Sequence, residues 1–160
     1  LQPARERADY IIDTTHLAPI QLKEKVTGIF LDNISTGMLI NCMSFGFKYG
    51  YPAEADLMFD VRCLPNPFYE PELKHKTGLD ADVRDYVRET DVTRGFEKRL
   101  YSLVDYLLPL YSDEGKSQLV IAIGCTGGKH RSVALAEALA GHIRNGGGRV
   151  VVNHRDIGKL

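Results

Sequence analysis

The sequence predicts an α/β fold, with a mostly parallel sheet flanked by helices. Three observations carry this prediction. Short apolar runs alternate with amphipathic stretches of helical period, the pattern of a layered α/β domain. The run Gln118-Leu119-Val120-Ile121-Ala122-Ile123 is apolar almost throughout, as befits a central parallel strand covered on both faces. Beyond it a glycine-containing turn leads directly into a second helical pattern at Arg131.

The elements follow in order. Residues 8–14 read as a short strand, preceded by the charged run Arg5-Glu6-Arg7, and look like part of a structure already in progress. Residues 19–31 have Ile20, Val26, Ile29 and Phe30 on one helical face, with Pro19 suited to the first turn. Residues 38–44 form a buried strand that runs into the glycine-rich loop Ser44-Phe45-Gly46-Phe47-Lys48-Tyr49-Gly50. A second strand spans 57–62, and Leu64-Pro65-Asn66-Pro67 ends it because proline lacks the ladder donor. Helices are expected over 79–90 and 93–111. In the second, Phe96, Leu100, Leu103, Val104, Leu107 and Leu108 form a core-facing stripe. The helix over 131–145 carries Val133, Leu135, Ala136, Leu139 and Ile143 and stops at Gly146-Gly147-Gly148. Residues 149–153 make a final strand.

Composition narrows the function classes. The chain has 160 residues, 44% hydrophobic and 26% charged, with a net charge of −1. Nothing in that balance draws the whole chain toward nucleic acid or membrane, so RNA contact would need a local basic patch. Cys42, Cys63 and Cys125 are odd in number and lack framework spacing, which points to free thiols in a reducing cytoplasm. No apolar run is long enough for a transmembrane helix and no secretory leader is evident. The histidines (16, 75, 130, 142 and 154) are scattered, so no metal site is expected.

The chemistry concentrates at Cys125-Thr126-Gly127-Gly128-Lys129-His130-Arg131-Ser132. The glycines allow a turn that points backbone N–H groups inward. The helix that follows adds its open N–H groups and the positive end of its dipole. Lys129, His130 and Arg131 oppose that dipole unless an anion sits among them, and an arginine can hold phosphate through two parallel hydrogen bonds. Ser132 adds a hydroxyl. A bound phosphate is therefore expected. The loop is not a Walker A motif, since Gly124 and Gly128 are four apart and Lys129 is followed by His130. Cys125 and Arg131 do have the Cys-x5-Arg-Ser spacing of protein tyrosine phosphatases, which leaves a catalytic reading with Cys125 and Arg131 open. A cysteine beside Lys, His and Arg at a helix start is a setting that favours thiolate. Against this, Gly124 stands where that family usually has histidine, and no general acid is evident.

In an α/β sheet, ligand groups come from the C-terminal ends of neighbouring strands. Two other strand ends carry suitable groups: Ser44 and Gly46 with Lys48, and Asp60 and Arg62 with Asn66. Asp60 and Arg62 could serve a ligand or pair with each other. Together with the loop they point to a small polar ligand bearing phosphate and hydroxyl or amino groups, such as a phosphosugar.

These motifs, with Thr77-Gly78-Leu79-Asp80 between them, occur in this order in the RapZ/YvcJ family, which the chain resembles over roughly residues 8–155. The resemblance implies a bacterial protein with an N-terminal P-loop domain that binds and slowly hydrolyses ATP or GTP. Residues 1–34 would be the remnant of that domain, and 35–160 a C-terminal domain similar to a phosphofructokinase-type subdomain. It implies no cofactor in this chain and no reaction carried out by it. It further implies sensing of glucosamine-6-phosphate, with the Cys125–Ser132 loop, Asp60, Arg62 and Asn66 matching the family's sugar-phosphate site. Small RNAs, an RNase partner, a homo-oligomer and a cytoplasmic location come with it, and no membrane. Two departures stand out. The RNA-binding branch has a histidine where Phe68 stands. Its tail is densely basic, whereas Asn153-His154-Arg155-Asp156-Ile157-Gly158-Lys159-Leu160 is not. Lys129, His154, Arg155 and Lys159 are thus expected to give weak, salt-sensitive RNA contacts, closer to the YvcJ-like branch.

Overall fold

A computed structural model describes Thr14, Pro19, Ile20, Leu22, Lys23, Val26 and residues 37–159. The chain divides into two compact units, residues 1–36 and 37–160. In the first, Pro19, Ile20, Leu22, Lys23 and Val26 are helical. The strand expected over 8–14 lies outside the described residues, apart from Thr14.

The second unit runs β1 (Leu39–Gly46), β2 (Leu57–Asp60), α1 (Ala81–Arg88), α2 (Asp91–Asp113), β3 (Gln118–Cys125), α3 (Arg131–Asn145) and β4 (Arg149–His154). Short 3-10 turns at Phe47–Tyr49 and Pro67–Tyr69 follow the first two strands. The four strands form one sheet in the order β2-β3-β1-β4, and every pairing is parallel. The expected α/β class is what the chain adopts.

Two strand ends differ from expectation for local reasons. β1 continues through Phe45 to Gly46, because β3 pairs with it as far as Gly46 opposite Cys125. That ladder outweighs the conformational cost of a glycine in a strand. β2 stops at Asp60, where the carboxylate turns back to accept the backbone N–H of Arg62 at 2.9 Å. Such a side-chain bond competes with the ladder.

The core lies between the sheet and the helices. Phe45, Leu119, Ile121 and Ile123 are fully buried, with Val61, Val83, Val87, Val104, Val133, Leu135 and Leu139 around them. α2 begins on a cap in which Thr90 Oγ1 accepts the Thr93 N–H at 3.3 Å. It buries Thr93, Glu97, Leu100 and Val104, while Leu103, expected on the core stripe, is exposed. Glu97 is on the buried side and pairs with Arg88 at 2.6 Å. His142 stacks on Tyr101 with ring centroids 4.2 Å apart and pairs with Asp105.

The connections fix where a ligand can sit. From β1 the chain passes to β2, beyond β3. From β3 it passes through α3 to β4, beyond β1. The two connections leave in opposite directions, which opens a crevice between the C-terminal ends of β1 and β3. The register places Gly46, Asp60 and Gly124–Cys125 at that edge together.

Candidate functional site

Residues 126–130 turn from β3 into α3 with no strand or helix of their own. Only glycine fits at the centre of this turn. Gly128 has φ of +73°, and a Cβ there would come within 2.7 Å of the Gly46 nitrogen and 2.9 Å of the Phe45 carbonyl carbon. Gly46 is matched to it: a Cβ on Gly46 would come within 2.6 Å of the Gly127 carbonyl carbon. The turn is pinned from both sides. Lys48 N–H donates to the Thr126 carbonyl at 3.2 Å, and Gly78 N–H to the Lys129 carbonyl at 2.9 Å. The Thr77-Gly78 motif thus serves as a backrest for the loop.

A cleft of about 490 Å³ opens beside this turn, within the size range of small-molecule sites. Seven of the expected site residues line it: Asn66, Cys125, Thr126, Gly127, Lys129, His130 and Arg131. Lys48, Phe68, Tyr69, Lys74, His75 and Lys159 complete the wall. Of these, Lys48 was noted at the end of the first strand, Phe68 as a departure from the RNA-binding branch and Lys159 as an RNA contact; Tyr69, Lys74 and His75 were not singled out from sequence. Lys74 and His75 come from an aperiodic turn region, and the local run Lys74-His75-Lys76 is the one signal they leave in the sequence.

The charge of the wall is one-sided. Lys48, Lys74, Lys129, Arg131 and Lys159 are cationic, and among the described residues no carboxylate lines the cleft. His130 is buried, and its Nε2 has no hydrogen-bond partner. Burial holds its imidazole below the ordinary histidine value. The Lys129 charge adds to the effect, and hydrogen bonding to the backbone of Lys74 and Lys76 opposes it. The ring is therefore neutral at pH 7. With its other nitrogen donating to backbone, Nε2 is left as an acceptor.

Arg131 has a different posture from the phosphate grip expected of it. It is buried, and Nη1 donates to the carbonyl oxygens of Arg62 at 2.7 Å and Leu64 at 3.2 Å. Nη2 reaches Thr126 Oγ1 at 3.4 Å. The guanidinium thereby ties the turn after β2 to the loop after β3.

Several expected site residues stand outside the cleft wall. Ser132 is fully buried, with Oγ 3.1 Å from Cys125 Sγ. Ser44 is also buried and bonds His154 Nδ1 at 2.8 Å; His154 Nε2 in turn meets Glu137 at 3.1 Å. Gly46 gives its N–H to Asp156 at 2.8 Å. Asp60 and Arg62 pair with each other at 2.6 Å, and the Arg62 guanidinium lies 4.1 Å from the Phe47 ring centroid. Hydrogen bonding from Arg62 is the main reason that the Asp60 carboxyl is held below its usual range. Arg155 is drawn inward to Asp156 at 2.7 Å and to the Gly50 carbonyl at 2.7 Å.

Gly124 explains the missing histidine before Cys125. A Cβ there would come within 2.4 Å of Phe45 and 2.6 Å of Phe47, so these two rings occupy the space a side chain would need. Among the described residues, no group of three His, Cys, Asp or Glu side chains could hold a metal. No helix among them is long and apolar enough to cross a membrane.

Comparison with known proteins agrees with the motifs. The chain is 56% identical over 160 residues to a nucleotide-binding protein of Caldicellulosiruptor saccharolyticus, covering 99% of this chain and 55% of that one. It is 52% identical to one of Acetivibrio thermocellus, with the same coverage. A nucleotide-binding protein of Geobacillus thermodenitrificans is 52% identical over 157 residues, which is 98% of this chain and 52% of the relative. The chain thus spans about half the length of these curated relatives. The family model of the RapZ C-terminal domain matches residues 38–158, nearly the whole of the second unit, and the chain belongs to that family.

Proposed function

We propose that residues 37–159 form a regulatory module that senses a phosphorylated amino sugar such as glucosamine-6-phosphate, within a nucleotide-binding protein of the RapZ/YvcJ type. One observation carries the reading: a cleft walled, among the described residues, by five cationic side chains and no carboxylate at the crevice where α/β sheets hold ligands. Phosphate belongs, in this reading, at the Thr126–Lys129 turn and the start of α3, where Lys129 and a helix N-terminus adjoin the cleft. The sugar lies toward Asn66 and His130. Asn66 Oδ1 is engaged with the Phe68 N–H at 3.3 Å, which leaves its amide to donate to a hydroxyl. The neutral His130 Nε2 offers an acceptor for a hydroxyl or amino hydrogen. Binding of ATP or GTP belongs, in this reading, to the part of the longer protein outside this chain. Calorimetry with glucosamine-6-phosphate tests the proposal. Binding that weakens at least tenfold in Lys129→Ala is expected, and absence of heat with the wild-type chain overturns it.

A second reading, hydrolysis of a phosphate ester by Cys125, is favoured by the Cys125–Ser132 contact at 3.1 Å. It meets two obstacles. Nη1 of Arg131 is engaged by carbonyls, and among the described residues the cleft wall offers no carboxylic acid to protonate a leaving group. Equal turnover of an aryl phosphate by wild type and Cys125→Ser removes it. Small-RNA binding, also proposed, rests on Lys129, Lys159 and the exposed rings of Phe68 and Tyr69 at the cleft. With Arg155 and His154 engaged inside the protein, it should be weak. A gel shift at physiological salt with no retention removes it for this chain. We place the protein in the cytoplasm as a homo-oligomer, which light scattering tests.

A further inference from the structure

Behind the phosphate loop sits a carboxylate that takes up donors an anion would seek. Asp156, in the turn after β4, is fully buried. Its Oδ2 accepts the Gly46 N–H at 2.8 Å and meets Arg155 Nη2 at 2.7 Å. Its Oδ1 meets Lys159 Nζ at 2.7 Å. Asp156 also packs on the loop itself, since a Cβ added to Gly128 would lie 2.9 Å from its Cβ. Lys159 belongs to both neighbourhoods. It lines the cleft, its side chain is half-exposed, and its ammonium stands 4.9 Å from the Tyr49 ring centroid.

We propose that Asp156 competes with the ligand's phosphate for Lys159, so that this buried carboxylate sets how tightly the cleft holds an anion. The inference rests on the cleft's being the anion site. Asp156 is a positioning residue here, and it touches no ligand. Three features make the exchange of partners feasible. Lys159 can turn from one anion to the other within its half-exposed setting. Asp156 keeps Arg155 and the Gly46 N–H when Lys159 leaves, so no buried charge is stranded without a partner. The Lys159 N–H donates to the Asp156 carbonyl at 3.0 Å, so the backbone turn need not open for the ammonium to move. Burial by itself would raise the Asp156 carboxyl. Hydrogen bonds from Arg155 and Lys159, joined by the Gly46 N–H, outweigh it and bring the value down to about 2. Asp156 therefore stays charged throughout the pH range in which a phosphate ester carries its second charge.

The test is a double-mutant cycle by calorimetry, with glucosamine-6-phosphate and inorganic phosphate as probes. Asp156→Asn should tighten binding about three- to tenfold, as expected for the release of one partly exposed ion pair. Lys159→Met should weaken it by a similar factor. The double variant should match Lys159→Met alone. An Asp156→Asn gain that persists in the Lys159→Met background overturns the competition, as does unchanged affinity in Asp156→Asn. Should Asp156→Asn fail to fold, Lys159→Met decides alone, because its side chain is half-exposed. A change of less than about twofold there sinks the proposal. If wild type binds and the cycle fails, only the role of Asp156 falls. If no phosphate binds to wild type or to either variant, the reading of the cleft falls with it.

Discussion

Replacing Arg131 by alanine separates two roles that the sequence leaves merged. As a pure phosphate ligand, Arg131 would repel its neighbour Lys129, and its loss would leave stability unchanged or improved. The structure gives it another task, since Nη1 donates to the Arg62 and Leu64 carbonyls at 2.7 and 3.2 Å from a buried position. A hydrogen bond to a charged group is worth about 1.5–3 kcal/mol, and buried carbonyls left without a donor cost a similar amount. Some of that returns because the charge need no longer be desolvated. A net destabilisation of about 3 kcal/mol is expected, or a fall in Tm of about 6–12 °C for a chain of this size. Circular dichroism melts and urea titration would measure it. Arg131→Lys should recover less than half, because an ammonium lacks the planar fork. Lys129→Ala, in the same cleft, should stay within about 0.5 kcal/mol of wild type. An Arg131→Ala variant that melts within about 2 °C of wild type while losing phosphate would refute the clamp.

Three further outcomes follow from the same geometry. Gly128→Ala forces a side chain into positive φ, against the Phe45–Gly46 peptide and the Asp156 side chain. It should cost roughly 2 kcal/mol or more by denaturant titration and abolish phosphate binding. The folded-state value of Asp156 is depressed to about 2 from an ordinary 3.8, so its stabilisation is present above about pH 4 and is lost as pH falls through 2. Acid titration should show about 1–2 kcal/mol of pH-dependent stability in that window, missing from Asp156→Asn. Burial pushes the Cys42 thiol up to about 12, a rise that the Glu137 charge adds to and the Arg144 charge opposes. Iodoacetamide on the native protein should label exposed Cys63 first; rapid labelling of Cys42 before unfolding would contradict its burial.

The sheet was legible wherever the chain carries its own periodicity. β3 and α3 could be read from an apolar run and a helical stripe, and the loop between them from glycine and charge. The RapZ/YvcJ resemblance stood on this loop together with the motifs at Ser44–Gly50, Asp60–Pro67 and Thr77–Asp80. What stayed hidden depends on partners distant in sequence. Nothing near Arg131 shows that its guanidinium will reach carbonyls at 62 and 64. Nothing near Asp156 shows that it will reach the end of β1. Lys74 and His75 enter the cleft from a turn without period, where hydrophobic patterning carries no information. Asp60 and Arg62 were ambiguous in sequence because a neighbouring acid and base can serve a ligand or each other. Here they pair with each other, outside the cleft wall.

The packing around Gly124 bears on how this loop could change over time. A side chain there would meet the rings of Phe45 and Phe47 at once. Phe45 is fully buried, and cutting such a ring back to alanine costs about 3–5 kcal/mol. The step toward a histidine-bearing phosphatase loop is therefore not one substitution. It takes at least two, and the enabling one comes first at a cost that is a large fraction of the roughly 5–15 kcal/mol that holds a domain folded. Core packing beneath the loop, more than the chemistry of the loop itself, keeps a side chain out of the position before Cys125.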